Sequence, residues 1–326
     1  MELTLDRIKP SPVISSRNPR RFKKLRVSIT DNCNLSCVYC DEPKKSLNLN
    51  SSPGANTDVL KLAEIVASLH RELDLSSVRI TGGEPTLNPN LTAFVRLLKE
   101  AGIPEVNLTT NGLLLESRLD ELQKAGLDRI NVSLDALDDD TFANMTGYRG
   151  VSRVTHSIVR AKEAGFDVKI NAIIMRGFNE NQVLPLLEFA MGIGVKIRFL
   201  ELMKMGVAVG RHNQQYYSCG EILLQIKARY EIGELPREVS STARYYQIGR
   251  EYRFGVIANH SEPFCSDCDR LRLDHRGRLY GCLSNPASFD ISSLDEPLAE
   301  TLVKAMAMKQ KDTFAGSNLS MRHIGG

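Results

Sequence analysis

Six short runs along the chain alternate apolar and polar residues with a period of two, and stretches of helical spacing separate them. The runs are Leu25–Thr30, Val78–Thr81, Val106–Thr109, Ile130–Leu134, Val168–Ala172 and Lys196–Leu200. Between them Val59–Leu73, Leu91–Ala101, Val154–Ala164 and Leu184–Met191 read as amphipathic helices. The polar segment Asn48–Thr57, with Pro53 and Gly54, reads as a loop. Strand–helix alternation predicts an α/β fold with a parallel sheet and right-handed crossovers.

The alternation also sorts each strand into two faces. One holds Leu25, Val27 and Ile29; Val78 and Ile80; Val106 and Leu108; Ile130, Val132 and Leu134; Val168 and Ile170; Ile197 and Phe199. The other holds Arg26, Ser28 and Thr30; Arg79 and Thr81; Asn107 and Thr109; Asn131, Ser133 and Asp135; Lys169 and Asn171; Lys196 and Arg198. Helices should cover the apolar face. Parallel sheets are normally covered on both sides, and a closed eight-stranded barrel fills its interior with branched apolar side chains. A polar inner face in all six strands fits an open, incomplete barrel whose lumen holds large polar ligands; the plain alternative is a sheet with one face in water. Arg26, Arg79, Lys169 and Arg198 would share that lumen. Cations gathered in one cavity repel unless an anion joins them. Arginine forks match phosphate oxygens, which makes a triphosphate a natural occupant, although each residue taken singly is an ordinary surface charge.

Composition narrows the class without naming a partner. The 326 residues suffice for a large core, in one domain or one plus an appendage. A net charge of +3 and the lack of a long like-charge run argue against a nucleic-acid tail. The longest apolar stretches are too short for a membrane span, and the N-terminus lacks the layout of a signal peptide. Six of the seven cysteines fall in two clusters, which reads as metal ligation in a reducing cytoplasm rather than as disulfides.

The first cluster is Cys33, Cys37 and Cys40, spaced C-x3-C-x2-C. Three thiolates packed so tightly suit an iron–sulfur cluster better than zinc, which wants four ligands. A 4Fe–4S cluster on three cysteines leaves one iron open to bind a small molecule. The second cluster is Cys265, Cys268 and Cys282, spaced C-x2-C-x13-C. Taken alone it suits structural zinc, with His260, His275 or the distant Cys219 to complete it. The run Thr81-Gly82-Gly83-Glu84-Pro85 places two glycines where the backbone turns sharply, and Thr109-Thr110-Asn111-Gly112 ends the third strand in a turn signal. Ser133 and Asp135 stand at the rim of the fourth strand, and Arg270 and Arg272 share a face if their segment is a strand. The chain ends in Gly325-Gly326.

The first triplet resembles the signature of the radical S-adenosylmethionine superfamily. The whole set, from about Leu25 to Gly326, resembles the GTP 3′,8-cyclase family of molybdenum-cofactor biosynthesis. Added to the motifs above are Lys169-Ile170-Asn171 and the run from Arg198 to Met203. Asn32 before the first cysteine, Pro19-Arg20 ahead of the first strand, and Leu283-Ser284 after the last cysteine depart from the usual pattern. The resemblance implies an incomplete (β/α)6 barrel over 25–205, an N-terminal extension over 1–24, and a C-terminal region over 206–326 carrying a second cluster. It implies that Cys33, Cys37 and Cys40 hold a 4Fe–4S cluster that cleaves S-adenosyl-L-methionine to a 5′-deoxyadenosyl radical. Tyr39, Gly83, Ser133 and Met203 would contact that cofactor. Cys265, Cys268 and Cys282 would hold a second 4Fe–4S cluster facing the guanine of GTP. Arg26, Arg79, Thr109, Lys169, Arg270 and Arg272 would bind GTP, with Arg198 as a further active-site cation and Gly325 and Gly326 assisting radical initiation. The implied partners are GTP, an electron donor, the next enzyme (cyclic pyranopterin monophosphate synthase) and a second copy in a homodimer, with no membrane and no nucleic acid. The competing readings are a peptide-modifying radical enzyme with an auxiliary cluster, which would show no GTP-dependent cofactor cleavage, and a non-catalytic zinc protein, which would hold no iron.

Overall fold

The computed structural model describes residues 20–40, 57–293 and 297–324. The expected Asn48–Thr57 loop lies almost wholly outside the described residues, as do most of the N-terminal extension and the terminal pair Gly325 and Gly326.

All six expected strands form, as β1 (Lys24–Ser28), β2 (Ser77–Thr81), β3 (Glu105–Thr110), β4 (Arg129–Ser133), β5 (Asp167–Ile174) and β6 (Lys196–Glu201). They pair in that order and all run parallel. The helices after the strands are α1 (Val59–Leu73), α2 (Leu91–Glu100), α3 (Leu119–Lys124), α4 (Asp139–Thr146), α5 (Val151–Glu163) and α6 (Val183–Gly192). α1 starts where the Asp58 carboxylate accepts the N–H groups of Leu60 and Lys61. α4, which the alternation does not announce, starts at Asp138, which accepts from Thr141, and stops at Gly147 in the left-handed conformation.

The apolar strand face packs under these helices as expected. Val27, Ile29, Val78, Ile80, Val106, Leu108, Ile130 and Ile197 are buried with Val66, Leu69, Phe94, Val95 and Leu98 in one core. Each such side chain contributes about 1.5–3 kcal/mol by leaving water.

The C-terminal region adds α7 (His212–Gln215), α8 (Cys219–Lys227), β7 (Ile232–Glu234), β8 (Arg244–Ile248), β9 (Tyr252–Ile257), β10 (Arg270–Leu273), β11 (Arg278–Tyr280), β12 (Phe289–Asp290), α9 (Leu298–Ala307) and α10 (Met321–Ile324). It does more than follow the barrel. β9 pairs parallel with β6 and β10 parallel with β1, so this region supplies one parallel strand at each edge of the six. Antiparallel β8 and β7 lie beyond β9, and β11 and β12 beyond β10, giving twelve strands in one sheet among the described residues. The two outer parts are tied together by Ser240, in the turn between β7 and β8. Its carbonyl accepts from Lys24 at 3.4 Å and Arg270 at 3.0 Å, and its N–H donates to Asp267 at 2.8 Å. Arg237 pairs with the same Asp267 at 2.7 Å.

Candidate active site

Parallel strands send their following loops to one end of the sheet, and four of those loops meet there. Cys33, Cys37 and Cys40 follow β1, Gly82 and Gly83 follow β2, Ser133 and Asp135 close β4, and Met203 follows β6; all line one cavity with Tyr39. The two glycines serve first to let backbones meet. Gly83 donates to the Thr30 carbonyl at 2.8 Å and Glu84 to Asn32 at 2.7 Å. A Cβ on Gly83 would lie 2.1 Å from the Asn32 carbonyl oxygen, so no other residue lets this turn seat against the approach to Cys33. Buried Glu84 then accepts from Thr86, from the Thr110 hydroxyl at 2.7 Å and from the Asn111 N–H at 2.7 Å, tying the ends of β2 and β3. Tyr39 donates to Asp135 at 2.7 Å. Burial pushes the Asp135 carboxyl up to about 6, against the pull of Tyr39 and the Ile173 N–H. Burial, then Cys40, Asp135 and Cys33, hold the Cys37 thiol well above its ordinary range. Thiols that raise one another are thiols held close together, and they ionise together only around a cation.

The second triplet lies at the other end. Cys265 and Cys268 lead into β10, which runs with β1, whereas Cys282 follows β11, which runs back against β10. That reversal returns Cys282 to the end from which β10 sets out, and all three cysteines line the same cavity as the first triplet. Burial, then Cys282 and Cys268, push the Cys265 thiol up. Burial also opposes ionisation of Cys268, but Lys309 and Arg270 beside it bring that thiol down to about 7. None of the candidates for a fourth ligand lines the cavity. Cys219 is buried at the start of α8 and donates its N–H to Glu201, and His260 packs edge-on against His212 and Tyr216. His275, at the far end of β10, faces Asp31 at 3.8 Å. Among the described residues no three His, Cys, Asp or Glu side chains are grouped to hold a single metal ion.

Between the triplets stand the cations. Arg272, Arg26 and Arg79 are direct register partners across β10, β1 and β2, three guanidinium groups side by side on the lumen face. Burial first, then Arg272, Arg270 and Arg198, hold Arg26 well below its ordinary range; burial and Arg26 do the same to Arg79. Burial and then Arg270 bring Arg272 down to about 10. Arg198 is held by Asn171 at 2.9 Å and Asn131 at 2.7 Å, both on the lumen face. Thr109 and Arg270 also line the cavity. Lys169 lies on the predicted face of β5, below the residues that line the cavity. It sits two residues nearer the strand start than Asn171, and its ammonium stands 4.0 Å from Asp167. Burial and Arg129 bring it down to about 8, Asp167 opposing.

Sequence reasoning missed Lys309, whose Nζ lies 3.2 Å from the Cys268 sulfur, and the lining residues Thr242, Asn259 and Phe264. None sits in a motif. Asn131 and Asn171, by contrast, carried the lumen parity that reveals them.

The chain matches the family model of the Radical SAM superfamily over residues 27–190 and that of Molybdenum Cofactor Synthesis C over 195–315. It is 34% identical over 305 residues to the GTP 3′,8-cyclase of Aquifex aeolicus, covering 93% of this chain and 94% of the relative. It is 36% identical over 339 residues to that of Staphylococcus aureus strain Mu3, covering 96% and 99%. Among solved structures, Streptococcus suis SuiB bound to precursor peptide SuiA superposes with a TM-score of 0.63 at 16% identity, over 86% of this chain and 66% of that one, a likeness of fold.

Proposed function

The chain belongs to the GTP 3′,8-cyclase family of radical S-adenosylmethionine enzymes, and from that premise we propose how its residues divide the work. In the reaction the ribose 3′ hydrogen atom of GTP is removed, C3′ joins C8 of the guanine, and one electron from the electron donor with one proton completes 3′,8-cyclo-7,8-dihydro-GTP for molybdopterin synthesis. An iron–sulfur cluster with S-adenosylmethionine supplies the 5′-deoxyadenosyl radical that takes the hydrogen. Cys33, Cys37 and Cys40 hold that cluster, and Tyr39, Gly83, Ser133 and Met203 line the place for the cofactor. Cys265, Cys268 and Cys282, which line the cavity at its opposite end, would hold a second 4Fe–4S cluster.

The observation that carries this division is the register row Arg272–Arg26–Arg79 between two cysteine triplets. Three guanidinium groups, one buried and two half-buried, repel one another on a shared wall unless an anion joins them, and a triphosphate supplies one with oxygens for several forks. Gripped there, the nucleotide lies between the two ends of the cavity with its ribose toward the radical source. Arg270 and Thr109 extend the grip, and Arg198, fixed by two asparagines, stands by as a further cation. Holding C3′ beside C8 and excluding water and oxygen is catalysis by positioning. Lys169 contributes to the same field from the foot of β5.

Gly325 and Gly326 assist initiation from the tail. The approach of the chain end supports this: Ser320 donates to the Cys40 carbonyl at 3.2 Å, Arg322 to Leu35 at 3.2 Å, and Arg272 to Ile324 at 3.3 Å. Deleting the two glycines should then lower cyclisation while leaving GTP affinity in place. The reading also includes an electron donor, cyclic pyranopterin monophosphate synthase as consumer of the product, and a cytoplasmic homodimer. No helix among the described residues is long and apolar enough to cross a membrane.

The test is anaerobic. Protein with reconstituted clusters is incubated with dithionite, S-adenosylmethionine and GTP, and mass spectrometry follows the products. Formation of 5′-deoxyadenosine together with a cyclised isomer of GTP is expected. Deoxyadenosine with unchanged GTP would move the substrate elsewhere.

A further inference from the structure

We infer that Lys309 is a positioning residue for the second cluster: it donates a charged hydrogen bond to the Cys268 thiolate and thereby raises that cluster's reduction potential. The inference rests on the reading that Cys265, Cys268 and Cys282 hold a 4Fe–4S cluster.

Three features of the fold put Lys309 there. Its Nζ lies 3.2 Å from the Cys268 sulfur and lines the cavity. The same Nζ stands 5.8 Å above the centre of the Phe22 ring, within reach of its negative face, and Phe22 is fully buried just before β1. The end of α9 is brought to this spot by Gly281, next to Cys282. A Cβ on Gly281 would lie 1.8 Å from the Ala305 carbonyl oxygen, so helix and cysteine loop touch backbone to backbone. The lysine is thus aimed by a ring on one side and a glycine contact on the other.

A half-buried ammonium packed against a ring is costly without a counter-charge. Three cysteine thiolates supply one, and the lysine returns positive charge to the sulfur. Hydrogen bonds to ligand sulfur and the local net charge are levers on the potential of an iron–sulfur cluster. The step affected is the gain of one electron by the oxidised cluster from a strong one-electron reductant such as dithionite. The added negative charge falls on iron and sulfur, where a fixed cation favours it.

The experiment compares full-length wild type, Lys309→Met, Lys309→Gln and Lys309→Arg after anaerobic reconstitution. Iron is counted first, and each cluster is then titrated by its electron paramagnetic resonance signal. Adding S-adenosylmethionine identifies the first cluster by the change in its signal. The expected result is a fall of about tenfold in the reduction equilibrium of the second cluster in Lys309→Met, about 59 mV for one electron. Lys309→Gln should fall with it, Lys309→Arg should stay near wild type, and the first cluster should not move. Unchanged potentials in Met and Gln variants would overturn the inference. So would an Arg variant that falls as far as Met, since packing rather than charge would then be at work. If the Met variant does not fold, the Gln and Arg pair decides by the same comparison. Wild type that takes up iron for one cluster only would instead overturn the two-cluster reading, and the iron count separates that failure from the others.

Discussion

Arg26 stands in the middle of three guanidinium groups, with Arg272 and Arg79 as its register partners. Without an anion its neighbours and its burial work against its charge. Replacing it with methionine should therefore raise the melting temperature of the nucleotide-free protein while weakening GTP binding by about 2 kcal/mol or more, roughly 30-fold. Calorimetric melting with and without GTP checks both halves, and a nucleotide-free Arg26→Met that melts lower would contradict the repulsion argument. Lys169 makes a pH-dependent case. Its ammonium is brought down to about 8 in the nucleotide-free protein. Its protonated form is the one that attracts phosphate, and a bound triphosphate raises its affinity for the proton. GTP affinity should hold steady below pH 8 and decline as pH rises through it. Stability carries the opposite sign. Between pH 8 and the ordinary lysine value of 10.5 the unfolded chain binds the extra proton, so this group adds stability as pH rises. Titrations of wild type and Lys169→Met should differ in both slopes; identical profiles would remove Lys169 from the field.

At the scale of elements, what the sequence made legible was whatever a local period can encode. Alternation in β1 to β6 gave the strands, their lumen face and the place of Arg26, Arg79 and Arg198. Arg270 and Arg272 could be paired on a face but not placed. Their position depends on β10 crossing back to β1, about 245 residues away in sequence, and no local pattern states that. Lys309 was illegible for the same reason: its position depends on the contact of Gly281 with Ala305, a meeting of two distant backbones. α4 was within reach, since Asp138 and Gly147 bracket it with a cap at each end. The double glycine was legible as a sharp turn, but its close approach to the backbone ahead of Cys33 was not. Gly83→Ala should accordingly push the cysteine loop outward, cost about 1–3 kcal/mol and reduce the iron retained by the first cluster. Iron analysis with denaturant unfolding measures both; full iron retention would show the loop to be more pliant than this contact allows.

Across the whole molecule, one carboxylate reinforces the strand pairings that join the C-terminal region to the barrel. Glu201, at the end of β6, accepts from Tyr216 at 2.7 Å, the Cys219 N–H at 2.8 Å, the His260 N–H at 2.9 Å and Ser261 at 3.0 Å. Burial pushes its carboxyl up, but the bonds from Ser261, Cys219 and Tyr216 outweigh burial and hold it below the ordinary value. Its stabilising effect is present above the unfolded carboxyl range and is lost as pH falls through the lowered folded value. Glu201→Gln should destabilise the protein by about 1.5–3 kcal/mol at neutral pH, with the gap to wild type closing in acid. A constant gap across the acid range, read from denaturant midpoints, would mean that charge plays no part. This fastening matters to function because the region it holds carries Cys265, Cys268, Cys282, Arg270, Arg272 and Lys309 to the foot of the cavity, opposite the first three cysteines.

The central claim is that GTP lies in that cavity with its ribose toward the first triplet. The most direct measurement uses GTP deuterated at C3′ with the reconstituted, reduced enzyme and S-adenosylmethionine, followed by mass spectrometry of the 5′-deoxyadenosine. The account predicts that the deoxyadenosine gains one mass unit from deuterium as cyclised nucleotide forms. Deoxyadenosine that stays unlabelled while GTP is consumed would contradict it.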